Sequence, residues 1–176
     1  MARMLTAETL EAIARARARY ARAQSALLPA LHAAQAQVGY LPEPALADVA
    51  EALDVPVTEV AAVATFYSMF HTERVGRHVV RVCTNLACHL NGADQVMDRL
   101  CDRLGIRPGQ TTPDGAVSLE IAECLAACEE APVVLADADR VARVTPDGVD
   151  DLVRRLRAGG PPHGGLAGHD EINADA

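Results

Sequence analysis

The sequence predicts an α/β protein in which a small helical bundle precedes a layered βαβββα unit. Three observations carry this. Apolar residues recur at helical spacing over about the first seventy positions, and near residue 76 they give way to short β-branched runs. Turn and cap residues punctuate each run. Half of the 176 residues are apolar, although only 3% are aromatic, so a core of Ala, Val and Leu is expected.

The helices come first. Thr6 is placed as an N-cap, with Glu8 in the first turn near the positive end of the helix dipole. Ser25 is placed to cap a second helix, "SALLPALHAAQAQV", which presents Leu28, Leu31 and Val38 near one face and tolerates Pro29 near its start. "GYLP" breaks the chain. In "EPALADVAEAL" the residues Leu46, Val49, Ala50 and Leu53 fall at i, i+3, i+4 and i+7, and Pro44 suits a first turn. After "DVP" the residues Val57, Val60, Ala61 and Ala64 repeat the pattern into "TFYSMF". Four such short helices are unstable apart and are expected to pack as a bundle.

The strands follow. "HVVRVC" reads as a strand ending at Cys83, and "GADQVMDRLCDRLGI" as a helix with Val96, Leu100 and Leu104 on one stripe and Gly105 past its end. "PDGAVSLEIAEC" gives a turn and a second strand reaching Cys124. "APVVLAD" and "RVARV" read as a hairpin around Asp137 to Asp139. Thr145 and Pro146 open a last helix, "TPDGVDDLVRRLRAG". The expected division is a helical domain over 1–75, a sheet domain over 76–158 and a disordered tail over 159–176, where Pro, Gly and acid replace periodicity.

A net charge of −8 excludes a groove reader of nucleic acid, which needs surplus Lys and Arg to neutralise phosphate. The arginines of "ARARARYARA" alternate with alanine and spread round a solvated helix face. "MARMLTAETLEAIARAR" lacks an apolar signal core, and a run of about 18 apolar residues occurs nowhere. A cytoplasmic location without membrane insertion is therefore expected, where thiols stay reduced. The chain offers no nucleophile–base pair, phosphate loop or dinucleotide fingerprint of its own.

Cys83 and Cys88 follow one strand, and Cys124 and Cys128 follow another. Neighbouring strands would bring all four thiols to one sheet edge. A structural zinc ion, a [2Fe–2S] cluster and redox thiols all remain open to them. Tight Cys-x2-Cys knuckles favour zinc, whereas the Cys-x4-Cys and Cys-x3-Cys loops here suit a larger group gripped at two metals. Small residues in "TNLA" and "LAA" let backbone N–H groups approach the sulfurs, and a helix from about Asn91 would aim its positive end at them. Cys101, mid-helix, reads as a half-buried packing residue, and His89 as a solvated neighbour of the site.

"VCTNLACHLNGA" followed by "AECLAACEEAPVV" resembles the small, E-type [2Fe–2S] subunit of NADH:quinone oxidoreductase, respiratory complex I. The resemblance extends through "SALLPALHAAQAQVGYLP" and "VAAVATFYSMF", covering roughly residues 10 to 158. It implies a thioredoxin-like fold for the second domain and one [2Fe–2S] cluster on Cys83, Cys88, Cys124 and Cys128. It also implies a partner subunit that carries FMN and oxidises NADH, so that this chain is an electron carrier. The complex would hold it peripherally on the cytoplasmic side of the inner membrane. Equivalent subunits of NAD-dependent formate dehydrogenases and NAD-coupled hydrogenases, or a zinc-stapled adaptor, are the alternatives. All-sulfur ligation implies a potential of the order of −400 mV, and Glu123, Glu129 and Glu130 would lower it further. Ala126 stands where the family often has glycine and a positive φ is expected. Asp137 stands where many relatives have asparagine. Phe66, Tyr67, Met69 and Phe70 are expected either to fill the junction between the domains or to anchor the partner.

Overall fold

The computed structural model describes residues 3–158, which divide into two compact units, one running to Arg74 and the other from Val75. The expected tail at 159–176 lies outside the described residues.

The first unit consists of α1 (Ala7–Ala18), α2 (Leu27–Val38), α3 (Glu43–Leu53) and α4 (Val57–Phe66). Thr6 caps α1 as expected, its side chain accepting from the Thr9 N–H. Ser25 does not cap α2. It lies inside a 3₁₀ turn, Ala23–Ala26, which runs straight into the helix, so α2 starts on Ala26 without a side-chain cap. Tertiary packing replaces the cap, because Ala26, Leu27, Ala30 and Leu31 are all buried. With Ile13, Val49, Leu53 and Val60 they form a core of small and aliphatic side chains. Gly39 ends α2 in the left-handed conformation, at φ 87°. Gln35 then holds the end of the "TFYSMF" segment, its amide accepting from the His71 N–H at 2.8 Å and donating to the Met69 carbonyl at 2.9 Å.

The second unit is a five-stranded mixed sheet in the order β2-β3-β1-β4-β5. Its strands are β1 (His78–Cys83), β2 (Gln110–Thr111), β3 (Val117–Ala122), β4 (Val134–Ala136) and β5 (Asp139–Val141). The helices are α5 (Leu86–Leu90), α6 (Ala93–Leu104) and α7 (Pro146–Arg157). Strands β1 and β3 run parallel in the register that pairs Val82 with Ile121 and Cys83 with Ala122. The expected neighbourhood of the two cysteine-bearing strands is therefore present. Val80, Val82, Val117, Leu119 and Val134 share one core with the stripes of α6 and α7. A bidentate ion pair joins the two helices, Arg99 Nε and Nη2 reaching Asp150 at 3.0 and 2.7 Å.

Neither β2 nor α5 was expected. Strand β2 pairs only two residues antiparallel to β3, too few for an alternation to show. Helix α5 spans five residues and carries Cys88, so α6 starts at Ala93 rather than near Asn91.

Candidate metal centre

Parallel pairing of β1 and β3 makes the chain leave both strands at the same edge of the sheet. The Thr84 N–H donates to the Ala122 carbonyl at 3.0 Å, one residue beyond the strands, before the two loops diverge. Asn85 then starts α5, its carboxamide oxygen accepting from the Leu86 N–H, and Cys88 is turned inward one helical turn after Asn85. Just before β4, the Val133 carbonyl accepts from the Cys83 N–H at 3.1 Å. Cys83, Cys88, Ala93, Ala127 and Val133 form a small apolar cluster separate from the main core. The site thus combines two buried thiols, Cys83 and Cys88, with two exposed ones, Cys124 and Cys128.

The four sulfurs form a chain. Cys83 is within hydrogen-bonding reach of both Cys88 and Cys124, and Cys128 within reach of Cys124. Among the described residues no three Cys, His, Asp or Glu side chains converge closely enough to hold a metal ion. Backbone donors face the sulfurs. The N–H groups of Asn85 and Leu125 point to Cys83, that of Val133 to Cys88, and that of Ala126 to Cys124 Sγ at 3.3 Å.

These contacts set the thiols apart. Burial pushes the Cys83 thiol up, but the Asn85 and Leu125 N–H groups and the Cys88 and Cys124 side chains outweigh it, leaving Cys83 below its ordinary value. Burial and the contact with Cys83 raise Cys88, with the Val133 N–H only partly opposing. Desolvation and then the Cys124 sulfur raise Cys128. Cys83 therefore gives up its proton most readily of these three. The donor set fits an anionic group ligated by thiolates, since inward-pointing N–H groups stabilise negative charge on sulfur.

Cys101 lies on α6, partly buried against the main core, and burial followed by the Asp98 charge raises its thiol. His89 is exposed and pairs through Nδ1 with Asp94 Oδ2 at 3.0 Å. Of the three acids near the loops, Glu130 is engaged by Arg140 Nε at 3.1 Å, which offsets part of its charge. Sequence reasoning overlooked that arginine because its partner lies across the β4–β5 hairpin. Asp137 is not beside the thiols. Its carboxylate binds His78 Nδ1 and the Val79 N–H, both at 2.8 Å, where β1 begins. That is five residues from Cys83, or roughly 16 Å along a strand.

Ala126 adopts φ 54°, the left-handed conformation expected there. A Cβ in that region costs about 1–2 kcal/mol, whereas glycine enters it freely but loses more entropy on folding. Ala126→Gly is expected to stabilise the chain by about 0.5–1 kcal/mol. A denaturant midpoint that falls on this substitution would contradict the strain.

Three large apolar side chains stand out in solvent beside the cysteines. Leu86 and Leu90 bracket Cys88 on α5 and are 68% and 74% exposed, and Ile121, 55% exposed, precedes Cys124 by three residues. In the first unit Phe66 is 79% exposed and packs edge-on against Tyr67, whereas Phe70 is buried in the bundle core against His32.

Comparison with known proteins agrees with this architecture. A family profile described as thioredoxin-like [2Fe–2S] ferredoxin matches residues 13–157. The chain is 44% identical over 148 residues to E-type subunit 2 of the NADH-quinone oxidoreductase of Rhizobium meliloti (strain 1021), covering 84% of this chain and 88% of that protein. It is 37% identical over 153 residues to the E-type NADH-quinone oxidoreductase subunit of Escherichia coli (strain K12), covering 87% and 92%. Among solved structures, the air-oxidized NAD+-reducing [NiFe]-hydrogenase is similar over 81% of this chain, with a TM-score of 0.69 and 30% identity. The match spans only 24% of that hydrogenase chain. On the extent of the profile match and of these oxidoreductase relatives, the chain belongs to the thioredoxin-like [2Fe–2S] ferredoxin family.

Proposed function

We propose that this chain is the [2Fe–2S] electron-transfer subunit of an NADH:quinone oxidoreductase, with Cys83, Cys88, Cys124 and Cys128 as the cluster ligands. The observation that carries this reading is the run of four thiols across two strand-end loops, met by backbone N–H groups. Two sulfurs from each loop suit two irons with two ligands each, whereas a zinc ion needs four donors round one point. When bound, the cluster supplies a one-electron redox couple. The protein's own part is to hold the thiolates, direct N–H groups at them and shield the inner pair from water.

The partner in this reading is the subunit that binds FMN and NADH. It covers the exposed side of the site, where Leu86 and Leu90 on the helix of Cys88, and Ile121 three residues before Cys124, offer apolar anchors. Among the described residues no helix is long and apolar enough to cross a membrane. Membership of the complex would therefore bring the chain to the cytoplasmic side of the inner membrane as a peripheral subunit. The hydrogenase similarity supports a second reading, the equivalent module of an NAD-coupled hydrogenase. Higher identity to the NADH-quinone oxidoreductase relatives favours the first.

The helical unit is assigned to partner binding, with the exposed Phe66 as its anchor. A fragment starting at Val75 retains the whole sheet and all four ligands. It is expected to fold and take up the cluster, yet to lose co-purification with the co-expressed flavin subunit. In the full-length pair, NADH is expected to bleach the cluster's visible absorption, and without the flavin subunit it should not. Bleaching by NADH of this chain alone would contradict the assigned division of labour. A fragment that retains the flavin subunit as tightly as the full chain would remove the bundle from the interface.

A further inference from the structure

A cleft of about 460 Å³ opens between the end of β5 and α7, lined by Val141, Arg143, Thr145, Asp151, Arg154 and Arg155 among others. It contains none of the cysteines and stands apart from the electron-transfer reading. Three features give it a chemical character. Its cations are guanidiniums in a chain of net charge −8. Arg154 is held by Asp151 at 2.8 Å, but neither Arg143 nor Arg155 has a carboxylate partner among the described residues. Planar forks of this kind suit carboxylates, which they bind by two parallel hydrogen bonds.

The second feature is the backbone of Arg143, which is left-handed at φ 49°. This residue is not a glycine, so the conformation is strained, and its surroundings enforce it. The Arg143 N–H donates to the Glu130 carbonyl at 2.8 Å and the Val144 N–H to that of Pro132 at 3.0 Å. Strain of this kind gathers where a side chain must be aimed.

The third feature is the sheet edge. β5 is the outermost strand, and among the described residues it pairs only with β4. Ala136 and Asp139 flank a two-residue turn, so theirs is a hydrogen-bonded pair, and the next pair, Leu135 with Arg140, is not. The Arg140 N–H and carbonyl therefore face the open side. A free small anion would use the guanidiniums and leave that edge unpaired. An extended peptide would use both.

We propose that an extended acidic segment of a partner polypeptide adds as a strand alongside β5, placing its carboxylates on Arg143 and Arg155 in the cleft. The test is a titration of the 15N-labelled full chain, followed by amide shifts. The probe is a short acetylated peptide of alternating Glu and Val, compared with its Lys–Val counterpart and with inorganic phosphate. The acidic peptide is expected to give saturable shifts over residues 139–145 and at Arg154 and Arg155. Added salt should weaken it. In the double variant Arg143→Gln, Arg155→Gln, binding should weaken about tenfold or more, while the rest of the spectrum stays in place. Equal shifts from the Lys–Val peptide or from phosphate would overturn the proposal, as would unchanged affinity in the double variant. Because all these residues lie outside the cysteine loops, failure here leaves the cluster reading intact, and failure of the cluster reading leaves this site intact.

Discussion

Replacing Cys83 or Cys124 by serine is expected to remove most of the iron and sulfide from the purified chain, while Cys101→Ser keeps both. The first two thiols are within hydrogen-bonding reach of each other at the middle of the sulfur chain, so under the proposed ligation losing either would strip one iron of a ligand. A serine hydroxyl stays protonated at neutral pH and is a far poorer ligand for iron than thiolate. Cys83→Ser should have the larger effect, because its sulfur is buried and receives two backbone N–H groups that a neutral hydroxyl satisfies less well. Cys101 packs against the core from α6 and faces no other cysteine. Its replacement by serine costs packing only, about 1 kcal/mol. Iron and acid-labile sulfide analysis checks the set. Retention after Cys124→Ser together with loss after Cys101→Ser would reverse the ligand assignment.

Gly76→Ala is expected to be among the most damaging single substitutions outside the ligands. An alanine Cβ there would lie 2.7 Å from the Val117 carbonyl carbon and 2.8 and 2.9 Å from the Ser118 and Val117 nitrogens. Those atoms belong to the backbone of β3, which cannot move aside as a flexible side chain can. β3 is an interior strand, paired on both sides by β2 and β1, and contributes Val117 and Leu119, both fully buried, to the core. The Gly76 N–H also donates to Ser118 Oγ at 2.7 Å, so displacing the chain breaks a buried hydrogen bond as well. Overpacking costs about 1–3 kcal/mol, and the lost bond adds about 1 kcal/mol. Together these approach the lower end of a small domain's total stability. Because Cys124 is reached through β3, cluster content should fall along with the melting temperature. A variant that melts within a degree or two of the parent would show that the β3 backbone yields.

Sequence reasoning reached most of the architecture because the signals there are local. Helical periodicity in α3 and α4, the caps at Thr6 and Thr145, and the β-branched run of β1 each state their own conformation. The pairing of cysteine loops could be anticipated because both follow strands. Features set by distant residues were harder to read. Ser25 has the chemistry of a cap, but burial of Ala26 and Leu27 starts the helix without it. Gly76 precedes a strand like many turn glycines, and only the β3 backbone beside it shows why no side chain fits. The pairing of His78 with Asp137 joins residues 59 positions apart and gives no periodic signal. Asp137 therefore read only as a hairpin residue and a departure from the family's usual asparagine, when it closes the far end of β1. Helix α5, one and a half turns long, is shorter than any window in which amphipathicity shows.

The proposed centre is a single pair of irons ligated by four thiolates. Electron paramagnetic resonance of the purified full chain, before and after dithionite, tests this most directly. The oxidised chain is expected to be silent, since two coupled ferric ions cancel, and reduction by one electron is expected to give a spin-½ signal integrating to one per chain. A colourless chain with zinc and no signal on reduction would contradict the account.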